Sequence, residues 1–157
     1  MDTLDPLLRL RESRLMRTDE EVAIFIAALD ELAERRRQTD LPALHKAFDD
    51  QTQHLEVMWT LVHLIEDFDY QAGANALMSA LPEMMPTAYD WMELLVIRTL
   101  NSDVARPMLM DAFRPSSRVE QEALRTIIEG IADFDKEAPD PVAVRAREFL
   151  GHLTFAG

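Results

Sequence analysis

Apolar side chains recur three and four positions apart along nearly the whole chain, and no long alternating run of β-branched residues interrupts them. This spacing places the apolar side chains on one face of a helix, whereas a strand needs a period of two. The sequence therefore predicts an all-α fold. We expect nine helices, near residues 4–16, 19–37, 41–48, 52–68, 70–81, 88–100, 103–113, 118–134 and 141–153.

Short motifs mark where several of these helices begin. In a capping box, a hydroxyl and a carboxylate three residues apart each bind an amide that the start of the helix leaves free. An aspartate followed by proline is a second start signal, because proline is favoured at the first helical position. The predicted signals are capping boxes at Thr18/Glu21 and Ser117/Glu120, a shorter-armed version at Thr87/Asp90, and an N-cap at Asp140 before Pro141.

An internal similarity indicates how the helices are arranged. Residues 55–69, LEVMWTLVHLIEDFD, align with residues 121–135, QEALRTIIEGIADFD, at an offset of 66 with six identities. Two helices per unit of about 33 residues place a further helical hairpin, residues 87–113, between them. This pattern predicts stacked antiparallel hairpins, an α-solenoid of the HEAT or armadillo type. A compact helical bundle is the alternative, in which the similarity is a coincidence between amphipathic helices.

Length and composition indicate one soluble domain over residues 1–157. The chain has no cysteine, which excludes disulfides and thiolate metal sites and is typical of a reducing cytosol. Its first residues, MDTLDPLL, lack the basic and apolar regions of a signal peptide. The longest apolar run has eight residues, against the roughly 20 that a membrane helix needs. We therefore predict a cytoplasmic protein.

Negative charge is concentrated in the middle third of the chain. Residues 49–103 contain ten carboxylates and one arginine, Arg98, a local net charge of −9 out of −13 for the whole chain. The flanks are nearly balanced, with eight bases and ten acids in residues 1–48 and seven and nine in residues 104–157. Such a field repels nucleic acid and anionic membranes and attracts cationic partners. The charge therefore predicts a basic protein partner, and neither nucleic acid nor membrane.

The predicted helix near 52–68 carries one narrow polar stripe on an otherwise apolar surface, formed by Gln53, Glu56, Thr60, His63 and Asp67. The offset of 66 extends the stripe to Glu122, Thr126, Glu129 and Asp133, while Asp90, Glu93 and Asn101 follow a comparable face between them. Parallel first helices of stacked hairpins would align these stripes into one acidic surface. Alternatively, the acids only keep each helix soluble, which leaves the lack of bases in this segment unexplained.

The sequence contains no recognisable catalytic, cofactor or metal motif. The four histidines, His45, His54, His63 and His152, are scattered, and neither Glu-x-x-His nor His-x-x-x-His occurs. None of the four glycines forms a phosphate-binding loop. Glu66 follows His63 by three residues, a spacing of acid–base pairs and more often of surface hydrogen bonds. We predict a protein that is not an enzyme and that uses no cofactor and no metal.

Part of the chain resembles a known family. The run FDDQTQHLEVMWTLVHLIEDF, Phe48–Phe68, followed by ALMSALPEMMPTAYDWMELLVIRTLN, Ala76–Asn101, is similar to the immunity protein 30 family of bacterial polymorphic toxin systems. The resemblance rests on the Phe-Asp-Asp opening, the Glu56/His63/Glu66 spacing and the Leu-Pro…Trp…Arg-x-Leu-Asn block. It implies a small all-α protein, encoded beside a secreted or contact-delivered toxin, that neutralises this toxin in the producing cell.

The resemblance and the charge lead to one hypothesis about the partner, a cognate toxin domain. Toxins that act on nucleic acid need a basic groove, and an acidic surface can occupy that groove in place of the phosphates. Trp59 and Trp91 are predicted core residues, although Trp91 beside Asp90 could also anchor an interface. The predicted partner-binding residues are Asp49, Asp50, Glu56, His63, Glu66, Asp67, Asp90, Trp91 and Glu93.

Two alternatives stay open at this stage. A non-catalytic helical scaffold that joins two protein partners competes with the immunity function, and it predicts binding without loss of any partner's activity. The amphipathic leading helix, Leu4 to Met16, offers a surface on which two copies of the chain could pair into a homodimer.

Overall fold

The computed structural model describes residues 4–153, and in this range the protein is all α-helical, as the apolar spacing predicts. Every predicted helix is present, and the boundaries differ from the predicted ones by at most four residues at either end. A short 3-10 helix, Gln38–Asp40, precedes the third helix. The nine α-helices of the described range are α1 (Pro6–Glu12), α2 (Asp19–Arg35), α3 (Leu41–His45), α4 (Leu55–Glu66), α5 (Tyr70–Met84), α6 (Tyr89–Leu100), α7 (Ala105–Phe113), α8 (Arg118–Ala132) and α9 (Pro141–His152).

Two of the predicted start signals form as expected. The Ser117 hydroxyl accepts from the N–H of Glu120 at 3.3 Å, and the Glu120 carboxylate accepts from the N–H of Ser117 at 2.8 Å, which completes a capping box. The Asp140 carboxylate accepts from the N–H of Val142 at 3.0 Å. These side chains bind amides that the first turns of α8 and α9 leave free, and so they set where both helices begin.

The predicted box at Thr18 is only half formed. The Thr18 hydroxyl accepts from the N–H of Glu21 at 3.1 Å, as a cap of α2 should. The Glu21 carboxylate, however, binds the N–H of Arg17 rather than that of Thr18, and it also receives the Arg17 guanidinium at 2.9 Å. The ion pair therefore draws this carboxylate one residue further back than a capping box requires.

Helix α5 lies at the centre of the fold and packs against α3, α7 and α8. Its buried side chains include Leu77 and Met78. The helix continues beyond its predicted end, through Pro82 to Met84. Proline lacks the N–H that would bind the carbonyl four residues back, but burial of Leu81 and Met84 in this last turn favours the helical path.

The packing order departs from that of a regular solenoid. Stacked hairpins contact only their neighbours, whereas α5, in the hairpin with α4, packs against α8 in the third hairpin. Tyr89, at the start of α6, places its hydroxyl 3.9 Å from the position that a Cβ would take on Gly130, near the end of α8. Helix α8 therefore does not lie beside α6 in the parallel register that stacked hairpins would have. The all-α class is confirmed and the solenoid is not, because the central α5 is typical of a compact bundle.

The two similar segments differ in their surroundings at the shared Asp-Phe-Asp. Phe68 is buried, and the Arg36 guanidinium lies 5.8 Å from its ring centre, whereas Phe134 is 40% exposed. After Phe68 the chain enters α5 at once, with the Asp69 carboxylate as its cap. After Phe134 it continues through a loop before α9 begins at Pro141. The segments therefore share a helix and its end, while the next helix decides whether the phenylalanine is buried.

One contiguous cluster of buried apolar side chains holds the fold together and draws on all nine helices of the described range. Phe25, Phe48 and Phe113 are among its largest fully buried members. Burial of a side chain of this size contributes about 1.5–3 kcal/mol. Within residues 4–153, no helix has both the length and the apolarity needed to cross a membrane.

Candidate functional site

Helices α4 and α6 lie side by side and run in the same direction. The rings of Trp59 and Trp91 meet edge to face at 6.0 Å, and the Arg98 guanidinium donates two 2.8 Å hydrogen bonds to the Glu66 carboxylate. Both pairs join residues 32 positions apart, so the two helices keep one register along their length. Their exposed residues Glu56, Thr60, His63, Asp90 and Arg98 define what we call the α4–α6 face.

Aromatic rings lie beneath this face. Trp91 stacks on Phe48 at 5.5 Å and is only 7% exposed. It is therefore a core residue, and its burial makes it inaccessible as the interface anchor that the sequence also allowed. Trp59 is half-buried instead, and the Arg98 guanidinium lies 5.5 Å from its ring centre. Trp59 is thus the more accessible of the two tryptophans beneath the α4–α6 face.

The acids at the end of α4 have arginine partners. The hydrogen bonds between Glu66 and Arg98 raise the pKa of the guanidinium, and the side chains are 35% and 39% exposed. The Asp67 carboxylate lies 3.8 Å from the Arg36 guanidinium. The His63 side chain is 64% exposed, with its Nδ1 3.9 Å from the Glu66 carboxylate. Of the predicted binding residues at this end, Asp67 and His63 are the most exposed, at 66% and 64%, while Glu66 is held by Arg98.

Asp49 is a structural residue. It is only 4% exposed, and its carboxylate receives the Arg14 guanidinium at 3.1 Å and the N–H of Gln51 at 2.8 Å. A buried carboxylate costs free energy unless it is paired and hydrogen-bonded, and Asp49 is both. A side chain buried to this extent cannot contact a partner, so we remove Asp49 from the candidate surface.

Asp50 caps helix α6 from 40 residues away. Its carboxylate accepts from the N–H groups of Asp90 at 3.1 Å and Trp91 at 3.3 Å. The cap predicted at Thr87 does not form, because the N-cap position falls on Ala88, which has no side-chain acceptor. Partial burial raises the pKa of Asp50, and the two hydrogen bonds oppose this shift. Asp50 therefore shapes the start of α6, where the helix dipole also favours a carboxylate.

Glu56, Asp90 and Glu93 have no arginine or lysine partner in the described part of the chain. Glu56 is 77% exposed and lies 3.3 Å from Nδ1 of His54. Glu93 is half-buried, and burial, together with repulsion from Asp90, raises its pKa. Burial and the same two acids raise the pKa of Tyr89. The shared register of α4 and α6 places Glu56, Asp90 and Glu93 at the same level, the N-terminal end of the pair, and we name these three residues the acidic end. Asp90 and Glu93 repel each other there, whereas Glu56 interacts with His54 and not with these two acids.

The ten carboxylates of residues 49–103 do not form one continuous patch. Four of them are balanced by cations from outside this segment. These pairs are Arg14 with Asp49, Arg36 with Asp67, Lys46 with Glu83, and Arg106 with Asp103. Another acid, Asp69, caps α5 through the N–H of Ala72. Of the acidic surface predicted from the sequence, the acidic end is therefore the part that remains a candidate for binding.

The stripe predicted on α8 carries its own cations. Glu122 pairs with Arg118 at 3.0 Å, Glu129 with Arg125 at 2.9 Å, and Asp133 with Lys136 at 3.4 Å. Each pair is local, three or four residues apart on an exposed helix surface. Because α8 does not follow the register of α6, this stripe does not extend the α4–α6 face.

A cleft of about 470 Å³ opens at the C-terminal end of the α4–α6 face. Glu66 and Arg98 line it, together with His45 of α3 and Gly73 of α5. The sequence pattern did not reveal this cleft, because its walls come from five helices that are distant in sequence. The sequence feature that could have indicated the cleft is Gly73, because a glycine inside a helix lowers helix stability by about 1 kcal/mol relative to alanine.

The histidines lie in separate environments. His45 is 2% exposed and donates from Nδ1 to the carbonyl of Leu41 at 2.8 Å; burial lowers its pKa to about 4, so the ring is neutral at pH 7. His54 and His63 lie near carboxylates on the surface of α4. Within residues 4–153, no group of three or more His, Asp or Glu is arranged to hold a metal ion.

Comparison with curated proteins and with solved structures gives no significant match in either set. A family model does match, that of the family described as Immunity protein 30, over residues 12–109. This region runs from the end of α1 into α7, contains the whole α4–α6 face and the cleft, and covers more than half of the 157 residues. It is also wider than the Phe48–Asn101 stretch that carries the resemblance in sequence. The chain therefore belongs to the immunity protein 30 family.

Proposed function

We propose that this protein binds a cognate toxin through the α4–α6 face and thereby neutralises it in the cell that produces both. Membership of a family of immunity proteins supports a toxin as the partner. The location of the contact rests on the acidic end, whose carboxylates no arginine or lysine of the described chain neutralises.

The acidic end favours a cation from a partner for a physical reason. Asp90 repels Glu93, and burial of Glu93 disfavours its ionised form. Both effects make the ionised pair costly in the free protein. An arginine or lysine of the toxin that docks between the two carboxylates would remove the repulsion and supply the missing hydrogen bonds.

In this proposal the net charge affects the rate of association, and buried anchors determine the affinity. The net charge of −13 attracts a basic toxin from a distance and makes the association rate depend on salt. Affinity comes from buried anchors, among which the half-buried Trp59 is the main aromatic candidate on this side of the interface. We further propose that the protein is cytoplasmic, acts by binding rather than by catalysis, and contacts neither nucleic acid nor membrane, since its negative charge repels both.

A protection assay in cells that express the toxin encoded beside this chain's gene tests the proposal. The variant Asp90→Lys/Glu93→Lys reverses two charges on the acidic end. The matched control, Glu122→Lys/Glu129→Lys, reverses two charges on α8, outside the matched region of the family. We expect the first variant to lose protection and to bind the purified toxin domain at least about 30-fold more weakly. The control should behave as the parent.

Two further measurements separate a lost contact from a lost fold. Thermal unfolding of each variant shows whether the charge reversal has destabilised the protein. The neutral variant Asp90→Asn/Glu93→Gln keeps the shape of both side chains and should reduce the salt dependence of the association rate. Full protection by the reversed variant, or equal loss in the α8 control, would overturn the assignment to this face.

A further inference from the structure

We propose that the cleft at the C-terminal end of the α4–α6 face receives a tyrosine side chain of the toxin, whose hydroxyl donates a hydrogen bond to Nε2 of His45. This inference rests on the proposed function and adds to it the chemistry of the anchoring contact. The acidic end would attract the toxin, and the cleft would hold it.

His45 supplies an acceptor at the cleft. Its Nδ1 donates to the Leu41 carbonyl, which can only accept, so Nδ1 carries the ring proton. The ring is neutral at pH 7, which leaves a lone pair on Nε2. No side chain or amide of residues 4–153 donates to Nε2, although the residue is 98% buried and lines the cleft. Within residues 4–153 the side-chain atom that is fully buried without a hydrogen-bond partner is Thr52 Oγ1, and Nε2 of His45 is not one of this kind. Nε2 therefore keeps some contact with solvent, and a donor group of a ligand can reach it.

The walls of the cleft are apolar in part, with charged residues such as Glu66, Asp69 and Arg98 on the rest, and the cleft has been left unfilled. Phe68, Leu77 and Leu95 line it and are buried. Gly73 faces open space, since a Cβ at this position would meet nothing within 4 Å. A larger residue would fit there and would also favour the helix. Glycine therefore keeps open a volume of about 470 Å³, within the range of sites that hold small organic groups.

A tyrosine side chain matches the apolar part of the cleft and the acceptor of His45 better than a basic side chain does. An ammonium or guanidinium group at His45 would lose its water against a neutral imidazole, which is costly without a carboxylate. Two carboxylates line the cleft, and both are already engaged: Glu66 receives two hydrogen bonds from Arg98, and Asp69 accepts from the N–H of Ala72. A phenol combines an apolar ring with one neutral donor. Tyrosine is also among the residues that most often dominate the energy of protein interfaces.

Binding of small probes to the intact chain tests the cleft without the toxin. In an NMR titration, p-cresol should bind about fivefold more tightly than toluene, the contribution of one hydrogen bond, and should shift the Nε2 resonance of His45. The variant Gly73→Leu should abolish binding of both probes. The matched control Gly151→Leu, on α9, also adds a side chain where nothing lies within 4 Å, and it should bind as the parent.

These outcomes decide the assignment. No binding of p-cresol, or unchanged binding to Gly73→Leu, would overturn it. Tighter binding of toluene, indole or butylguanidinium than of p-cresol would overturn the choice of tyrosine. If Gly73→Leu lowers the melting temperature, Ala105→Leu fills the same cleft from α7 and takes its place.

The toxin assay then separates this inference from the proposed function. Gly73→Leu should bind the toxin at least about tenfold more weakly than the parent and Gly151→Leu do. If the parent neutralises the toxin and Gly73→Leu does so equally well, the inference fails and the proposed function stands. If the parent does not neutralise the toxin, the proposed function fails, and with it the toxin as the source of the tyrosine.

Discussion

The two ends of the α4–α6 face are built on the same pair of parallel helices and are both rich in acids, yet they differ in what they offer a partner. At the N-terminal end, Asp90 and Glu93 have no basic partner in the described chain. At the C-terminal end, Glu66 is bound by Arg98 and lines a cleft that the neutral His45 also lines.

This difference shows that the number of acids does not measure the available charge. A carboxylate attracts a partner over a distance only where no cation of its own chain lies beside it. Where such a cation is present, as at Glu66, the local surface is nearly neutral and recognition depends on shape and hydrogen bonds. One helix pair can thus provide attraction at one end and anchoring at the other.

The largest expected effect concerns the aromatic rings beneath the face. Trp91→Ala should lower the free energy of unfolding by about 3–5 kcal/mol, because Trp91 is buried against Phe48. Trp59→Ala should cost clearly less, since its ring is half-buried. Urea denaturation of both variants measures the difference. Equal losses would contradict the distinction between a core tryptophan and one that is available to a partner.

The next effect concerns His45 and the pH. Burial lowers its pKa from 6.5 to about 4, so between these values the unfolded chain binds a proton that the folded protein excludes. The contribution of this pKa shift to the free energy of unfolding is complete above about pH 6.5 and is lost as the pH falls towards 4. It amounts to about 3 kcal/mol. Urea denaturation at several pH values measures it.

The control for this prediction is His45→Gln, which keeps a donor for the Leu41 carbonyl but does not titrate. Its stability should depend less steeply on pH than that of the parent in the same interval. Parallel curves for the two proteins would show that His45 is not the group that excludes the proton, and the acceptor in the cleft would lose its support.

The smallest effect concerns the cap of α6 at the acidic end. Asp50→Ala should lower the free energy of unfolding by about 1 kcal/mol, because two amides at the start of α6 lose their acceptor. Asp50→Asn retains an acceptor and should cost less. Thr87→Ala is the matched control, since Thr87 does not cap the helix. A larger loss from Thr87→Ala than from Asp50→Ala in denaturant unfolding would reverse this assignment.

Much of the fold could be predicted because helix formation depends on near neighbours in the sequence. Apolar spacing located every α-helix of the described range, though not the 3-10 helix Gln38–Asp40, and the cap at Ser117 formed as its motif required. The cap of α6 could not be predicted in this way, because its acceptor, Asp50, comes from 40 residues away. The extension of α5 through Pro82 likewise depends on burial, which spacing alone does not measure.

The candidate site was predictable in part. The acidic end contains Glu56, Asp90 and Glu93, which the polar stripes of α4 and α6 had indicated. Asp49 and Trp91 were also candidates, and both are buried. The cleft was not foreseen, since its lining residues share no motif and become neighbours only when five helices pack together.

By itself, the sequence determined the helices, the excess of acid in residues 49–103 and the family, because each of these depends on residue identity and local spacing. Only the tertiary structure decided which acids remain without a cation, which tryptophan is accessible and where a cavity is left. The physical reason is that ion pairing, burial and empty volume depend on distances between helices, and those distances are set by packing between residues far apart in the chain.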